Sequence, residues 1–246
     1  MKLLTILIAS IFSGILFIPS ENEKENFTEK TPLTEVLIAL GDQKPIHYTN
    51  EKKPELIKQG LEIVTKGQTI NPKGKKSGLQ SKYFTCVDCH NVMMEDPDLR
   101  KSDPEARLKY ASKNNIPFLS GTTFYGMVNR EHWYNDDYQI KYGDLVKPAK
   151  DTLVNAIHLC TVECSQGRAF ESWELEAVKA YLYSIEYKLA DLKLTQEDYA
   201  KLNAYKRGVK NEELIKWIKT FYLQYSPATF LDPLSEDKRS YGEKGD

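Results

Sequence analysis

Cys86-Val87-Asp88-Cys89-His90 places two thiols three positions apart with a histidine directly behind them. Covalent haem attachment requires this spacing, because each thiol adds across one vinyl group of the porphyrin. The histidine on the same turn can then bind the iron as its proximal ligand. Residues 86–90, called the haem motif below, therefore predict one covalently bound haem c with His90 on the iron.

Two cysteines at this spacing also occur in sites of a different chemistry. A structural zinc site needs a second pair of ligands, such as another C-x-x-C or an H-x₃₋₅-H, and the chain offers neither. A thioredoxin-like redox pair would follow a strand and open a helix, and it would not require His90. A chance pair of cysteines in a loop is the third alternative. Only haem attachment uses all three residues of the motif.

The first 20 residues are typical of an export signal. Lys2 precedes an apolar run from Leu3 to Ile18, and a polar, acidic stretch begins at Glu21. The run is short for a membrane span, but Ile18-Pro19-Ser20 is a mediocre cleavage site, so an uncleaved N-terminal anchor is the alternative. In either case we expect the folded part to be periplasmic or otherwise exported, with membrane contact only through this segment.

Composition narrows the remaining possibilities. The 246 residues carry a formal net charge of −1. Acidic and basic residues are mixed along the chain, which gives no charge pattern for binding nucleic acid. Four cysteines in an exported protein would ordinarily predict two disulfides. Because the haem motif uses two of them, only Cys160 and Cys164 are left to pair.

The periodicity of apolar residues predicts an all-α fold. One helix starts at Pro54 and contains Gly60. A second, capped by Asp151, carries Cys160 and Cys164 on one stripe and ends at Gly167. A third runs from Ser172 to about Leu192 and pairs with the Pro54 helix, and Asn211 caps a last amphipathic helix.

Two stretches lack this periodicity. Residues 21–50 are polar around a short apolar patch, and they predict an arm or loose cover. Asn91–Tyr142 predicts a long irregular loop with one helix near Pro104–Ser112. Its second half is crowded with aromatic side chains, which could cover a haem face or form a satellite cluster on the helices. These are Phe118, Phe124, Tyr125, Trp133, Tyr134, Tyr138 and Tyr142.

The order of these elements resembles a class I cytochrome c domain. A helix with Gly60 precedes the haem motif, and a long loop then leads to a helix with Tyr181. In that family the first and last helices cross through a glycine and an aromatic residue. The resemblance implies a cytochrome c-like haem domain over residues 51–192, after an arm over residues 21–50. Residues 193–246 would then be an added helical extension with a polar tail.

Shorter matches resemble the haem domains of thiosulfate dehydrogenases and related sulfur-oxidation cytochromes. They are Lys66-Gly67-Gln68-Thr69, Ala156-Ile157-His158-Leu159-Cys160 and Ser165-Gln166-Gly167-Arg168. In that branch a cysteine in the helix before the last one binds the iron, and Cys160 occupies the matching position. The resemblance thus implies Cys160 as the distal ligand, and a thiolate there would lower the reduction potential.

The sequence leaves the distal ligand open. Class I cytochromes ordinarily use a loop methionine, for which Met127 is the candidate, whereas Met93 and Met94 lie too close to His90. A disulfide between Cys160 and Cys164 competes with the first choice, and a histidine or an open site completes the alternatives. We expect ordinary polar roles for the other histidines, His47, His132 and His158. Arg130 and Arg168 could pair with haem propionates, but a surface salt bridge or a loop hydrogen bond is the expected role of each.

These observations predict an exported monohaem c-type cytochrome that passes single electrons to a redox partner protein. The rival is a haem-containing oxidoreductase for sulfur compounds of the thiosulfate type, or its electron-transfer subunit. A haem sensor with a displaceable sixth ligand is a third hypothesis. Thiosulfate dehydrogenases carry two haem domains, and Gly242-Glu243-Lys244-Gly245-Asp246 resembles the start of another cytochrome c domain. A second haem protein is therefore a further candidate partner.

Overall fold

The computed structural model describes residues 26–101, 103–134, 137–205 and 209–223. Within these ranges the chain forms nine α-helices and no sheet, with only two isolated β-bridges. This confirms the predicted all-α fold. The helices are α1 (Leu33–Ala39), α2 (Pro54–Lys66), α3 (Pro104–Asn114), α4 (Asp137–Tyr142), α5 (Val146–Asp151), α6 (Leu153–Leu159), α7 (Ser172–Ser184), α8 (Gln196–Asn203) and α9 (Glu212–Lys219).

The two ends of the chain carry predictions that lie outside the described residues. These are the export segment over residues 1–20 and the C-terminal run from Gly242. In the part of the chain that the structure describes, no helix is long and apolar enough to cross a membrane.

The crossing of α2 and α7 is the most extensive helix contact in the described residues. At the crossing Gly60 is buried, and a Cβ atom built on it would overlap the carbonyl oxygen of Ala177. The same Cβ would lie 2.7 Å from Cβ of Tyr181. The predicted pairing of the Pro54 helix with the Ser172 helix is confirmed, and it depends on the absence of a side chain at Gly60.

Helix α7 ends at Ser184, so the prediction that it continues to Leu192 is wrong. The backbone groups that follow α7 form hydrogen bonds with the loop that contains Gly126 and Asn129. Gly126 N donates to Ile185 O over 2.9 Å, and Tyr187 N donates to Asn129 Oδ1 over 2.9 Å. Because these partners replace the i→i−4 bonds of a helix, the chain turns away. Residues Leu189–Leu192 form a separate 3₁₀ turn.

Residues 33–40 pack tightly, which differs from the expected loose arm. Leu33, Val36 and Leu40 are completely buried against side chains of α8 and α9. Leu33 N donates to Tyr187 O, and Asn211 N donates to Leu40 O. Residues 33–40 of the arm and the C-terminal extension therefore share one apolar cluster. The predicted cap of α9 is confirmed, since Asn211 Oδ1 accepts from Leu214 N over 3.0 Å.

The predicted helix carrying both distal cysteines is divided. Asp151 ends α5, and Thr152, in an extended conformation with φ −135°, precedes α6. The prediction that Asp151 caps the helix is therefore wrong, and its carboxylate instead lies 2.8 Å from Nδ1 of His132. After Leu159 the residues Cys160–Cys164 adopt a π-helical turn, closed by Ser165 N donating to Cys160 O. Such turns often occur at functional sites.

The irregular segment contains α3 as predicted, capped by Asp103 Oδ1, which accepts from Ala106 N. Five of the seven aromatic side chains after it fall into two groups, while Tyr125 packs against the cluster that contains α1 and α9, and Phe118 lies against Arg107. Phe124 and Trp133 join the core around α2 and α7. Tyr138 and Tyr142 of α4 stack on each other with ring centroids 6.2 Å apart, and Tyr134 contacts Tyr138 at 5.1 Å. These three tyrosines therefore form a satellite cluster on the helices, which is one of the two arrangements predicted for the aromatic side chains.

We predict that His47 makes the fold sensitive to acid. The side chain is buried, with Nε2 3.1 Å from Val128 O, and burial lowers the pKa of the imidazole. The unfolded chain binds this proton near the ordinary pKa of about 6.5. The free energy of unfolding therefore falls as pH drops from about 6.5 through the lowered pKa. Replacing His47 with Gln is expected to flatten this dependence, measured by urea unfolding at about pH 7 and about pH 5.

The exposed residue His158 supplies the control, because its side chain is open to solvent and lies outside the core that buries His47. The His158→Gln variant is expected to keep the wild-type slope. Equal slopes in the wild type and the His47→Gln variant would contradict the prediction.

Candidate haem site

The haem motif forms a compact turn. Residues Cys86–Asp88 are a 3₁₀ turn, and His90 N donates to Cys86 O over 3.0 Å. Asp88 closes the turn from outside, since its Oδ2 accepts from Thr85 N at 2.6 Å and from Thr85 Oγ1 at 2.9 Å. Asp88 therefore has a local structural role, and the two thiols and the imidazole are brought together by backbone bonds of the motif itself.

The ring of His90 is held on three sides. Nδ1 lies 2.6 Å from Thr122 O, and the ring stacks on Phe124 with centroids 4.4 Å apart and planes 16° apart. On another side the ring touches Gly121, where a Cβ atom would overlap it. Burial lowers the pKa of His90, so the ring is neutral near pH 7. In the neutral ring Nδ1–H donates to Thr122 O.

This hydrogen bond leaves Nε2 with the lone pair. None of the described residues makes a hydrogen bond to Nε2. A metal-binding histidine commonly donates its other N–H to a carbonyl in this way, which fixes the tautomer and the ring orientation. The donor set at the motif, two free thiols beside an oriented imidazole, thus fits a covalently attached haem.

The thiols of the motif are free and partly accessible. Burial raises the pKa of Cys86 to about 12. A redox-active dithiol needs the opposite, a lowered pKa that supplies a thiolate near neutral pH. The local environment of Cys86 therefore disfavours the thioredoxin-like interpretation.

Cys160 and Cys164 are both free thiols, so the alternative disulfide is not formed here. The Cys160 S–H donates to Cys164, which raises the pKa of Cys160, and burial and the nearby Cys86 and Cys89 raise it further. The same bond lowers the pKa of Cys164. Hydroxyl groups of Tyr142 and Tyr134 also support Cys164, the latter at 3.8 Å from Sγ.

Gln80 attaches this cysteine turn to the segment before the haem motif. Its Nε2 donates to Thr161 O at 2.8 Å and to Ser165 Oγ at 3.0 Å, while its carbonyl accepts from Arg168 N. A Cβ atom on Gly167 would overlap Gln80. The close approach of Cys160 to the motif therefore depends on Gln80, which sequence reasoning did not identify.

Met127, the alternative distal ligand, belongs to the loop that packs on His90. It lies in the 3₁₀ turn Met127–Asn129, is buried, and donates its N–H to Phe124 O over 3.0 Å. Since Phe124 stacks on the His90 ring, this bond ties the backbone of Met127 to the loop that contacts His90. Cys160 approaches the motif from a different element, after α6.

The two arginines considered for haem propionates are bound within the protein. Arg168 forms a bidentate pair with Glu174, both N–O distances being 2.6 Å. Arg130 donates to Thr122 Oγ1 at 2.7 Å and Thr123 O at 2.9 Å. Arg168 thus makes a salt bridge and Arg130 makes loop hydrogen bonds, the two kinds of contact expected for these residues.

Comparison of the chain with family models, curated proteins and solved structures finds no match. The site is therefore interpreted from its own residues. In the described ranges no group of three or more His, Cys, Asp or Glu side chains is arranged to hold a metal ion. A cavity of about 360 Å³, lined by His47, Trp133 and Tyr222 among others, involves none of residues 86–90.

Several residues that shape the site had no recognisable signal in the sequence. Thr122 contributes a backbone carbonyl, and any residue has one. A glycine is required at position 121 because it touches the ring of His90, which is distant in the sequence. The stacking of Phe124 could have been suspected from the aromatic richness of its loop, although nothing singled it out among its neighbours.

Proposed function

We propose that this chain is an exported monohaem c-type cytochrome that carries single electrons. The observation that carries the proposal is the geometry at His90: Nδ1 is bound to Thr122 O, and Nε2 is left for a metal. Cys86 and Cys89 would anchor the haem through thioethers, and His90 would bind its iron. Bound haem supplies a one-electron couple between ferric and ferrous iron.

The helix crossing supports a cytochrome c-like domain as the finer fold. Gly60 and Tyr181 meet where α2 and α7 cross, which is the kind of contact that the resemblance to class I cytochromes implies. The protein's part in electron transfer is then to hold His90, to exclude water from the ring and to set the potential through burial and hydrogen bonds.

Apolar side chains next to the motif in sequence also support the proposal. Leu79, Tyr83, Phe84 and Met93 are 44–67% exposed. Large apolar side chains grouped along an exposed stretch are commonly covered by a ligand or a partner. The haem, and a redox partner protein at its edge, would provide such cover. Export through residues 1–20 remains part of this proposal, because haem attachment takes place outside the cytoplasm in the family it resembles.

A second candidate function is oxidation of a sulfur compound, or electron transfer within such an enzyme. Cys164 favours it, because this free thiol lies beside Cys160 and the Tyr134 hydroxyl, and hydrogen bonds from these neighbours lower its pKa, which favours the thiolate form. Turnover of thiosulfate with an artificial electron acceptor would select this function, with a second haem protein as a candidate acceptor.

The primary experiment is haem analysis of the full chain after export from a host that attaches haem c. An alkaline pyridine spectrum is expected to give one haem per chain, retained after denaturation and organic extraction. A chain that emerges without covalent haem would end the proposal. Reversible one-electron reduction without turnover of sulfur donors would favour the carrier over the enzyme.

The distal ligand gives a separate prediction. We propose Cys160 in this role, because the π-helical turn that carries it is bound to Gln80, ahead of the haem motif, and belongs to a different element than the loop on His90. Replacing Cys160 with Ala is expected to abolish the low-spin thiolate signals of the ferric protein and to raise its potential, since thiolate stabilises ferric iron. Electron paramagnetic resonance and visible spectra measure the change.

Met127→Leu is the matched variant, because leucine keeps the volume of the buried side chain. Its spectrum is expected to equal that of the wild type. Loss of the ferric low-spin signals in this variant, together with their retention in Cys160→Ala, would assign the iron to Met127 instead.

A further inference from the structure

Thr122 O, which accepts the hydrogen bond from His90 Nδ1, belongs to a turn that is held by two buried charged side chains. Arg107 on α3 is 3% exposed, and Glu95 is 5% exposed. Nε of Arg107 lies 2.8 Å from Glu95 Oε2. Neither side chain is at the surface, so their pairing differs from the exposed ion pairs elsewhere on the protein.

Both members of this pair bind the turn over residues 121–123. Arg107 Nη2 donates to Gly121 O and, over 2.8 Å, to Leu119 O. Glu95 Oε2 accepts from Thr123 N over 3.0 Å. Thr122 is thus fixed on both sides, because Arg107 binds the carbonyl of Gly121 and Glu95 binds the N–H of Thr123.

The same pair is also connected to the residue behind His90. Asn91 Nδ2 donates to Glu95 Oε1 over 2.7 Å, and Asn91 O accepts from Phe124 N over 2.8 Å. Both the donor and the acceptor of the His90 bond are therefore attached to one buried cluster. A buried ion pair is weak evidence for stability, because removing two charges from water offsets their attraction. Its arrangement around one carbonyl indicates a positioning role.

We propose that Arg107, oriented by Glu95, is a positioning residue that holds Thr122 O on the Nδ1 proton of His90 and thereby sets the reduction potential. The inference rests on the proposed haem function. A strong hydrogen bond at Nδ1 raises the basicity of the ring, and a more basic ligand stabilises ferric iron. Loosening the turn weakens the bond, so the potential rises.

The Arg107→Lys variant tests this role, because lysine keeps the charge but lacks the planar fork that reaches two carbonyls and a carboxylate. In the reduced haem protein, exchange of the His90 Nδ1 proton with solvent, followed by NMR, is expected to accelerate at least tenfold. The one-electron midpoint potential is expected to rise by about 59 mV, which corresponds to a tenfold change in equilibrium constant. Glu95→Gln, nearly identical in shape, is the second variant if Arg107→Lys does not fold.

Glu186→Gln is the matched control. Glu186 is 2% exposed and paired with Lys52 at 2.9 Å, and among the described residues it makes no hydrogen bond to His90 or to residues 121–123. This variant is expected to lose stability while proton exchange at His90 and the potential stay at the wild-type values.

The outcomes separate this inference from the proposed function. Wild-type protein without haem would overturn both. Haem at one per chain, with wild-type proton exchange or wild-type potential in Arg107→Lys, would overturn the positioning role alone. An equal rise of the potential in Glu186→Gln would do the same, because the effect would then follow from any lost buried charge.

Discussion

Replacing both Cys86 and Cys89 with serine is expected to abolish covalent haem attachment completely. Serine keeps the approximate size of each side chain, but its hydroxyl does not form the thioether that links porphyrin to protein. The exported proteins are denatured, extracted with organic solvent and examined in alkaline pyridine. The wild type is expected to retain one haem per chain and the double variant none. Because the backbone bonds of the turn remain, including His90 N to Cys86 O, the loss reports on the thiols themselves.

Cys164→Ser provides the control for this double variant. Cys164 is also a partly accessible free thiol, but it lies outside the haem motif in the π-helical turn. This variant is expected to retain the full covalent haem content. Covalent haem in the double variant, or its loss in Cys164→Ser, would refute the assignment of Cys86 and Cys89 as anchors.

Replacing Gly60 with alanine is expected to destabilise the fold by about 2–3 kcal/mol, in the range for overpacked sites. The new Cβ would overlap Ala177 O, a backbone atom that moves only if α7 moves. Alanine also favours a helix interior over glycine by about 1 kcal/mol, so a net loss means that the clash outweighs the gain. Urea unfolding followed by circular dichroism measures the difference.

Gly78→Ala is the matched control for the added methyl group. A Cβ atom there would lie 3.4 Å from Nε of Arg168, an ordinary contact with a flexible side chain. The free energy of unfolding is expected to change by less than about 0.5 kcal/mol, as for surface substitutions away from special features. A Gly60→Ala protein as stable as the wild type would contradict the close crossing of α2 and α7.

The sequence predicted the start of a helix correctly where a proline or a capping side chain stands at that start. Pro54 starts α2, and Asn211 caps α9, because a side chain or ring there acts on backbone groups of its own turn. Predictions failed where distant groups compete for the backbone. Gly126 and Asn129 end α7 early, and Asp151 ends α5 instead of capping α6.

The candidate site divides in the same way. Cys86, Cys89 and His90 were found from spacing alone, since one short turn carries all three. The groups that orient His90 come from residues 121–124 and from the buried pair of Glu95 and Arg107. No periodicity or spacing in the sequence marks a carbonyl as an acceptor, and a buried arginine looks like any surface arginine on an amphipathic helix.

The amino-acid sequence by itself determined the all-α class and the cluster of two thiols and an imidazole on which the haem proposal rests. Both follow from interactions within a few residues, which depend on local order alone. Only the tertiary structure decided that Thr122 O accepts the hydrogen bond from His90 Nδ1 and that the π-helical turn brings Cys160 towards the motif. These contacts join segments tens of residues apart, so they depend on how α2, α3, α6 and α7 pack.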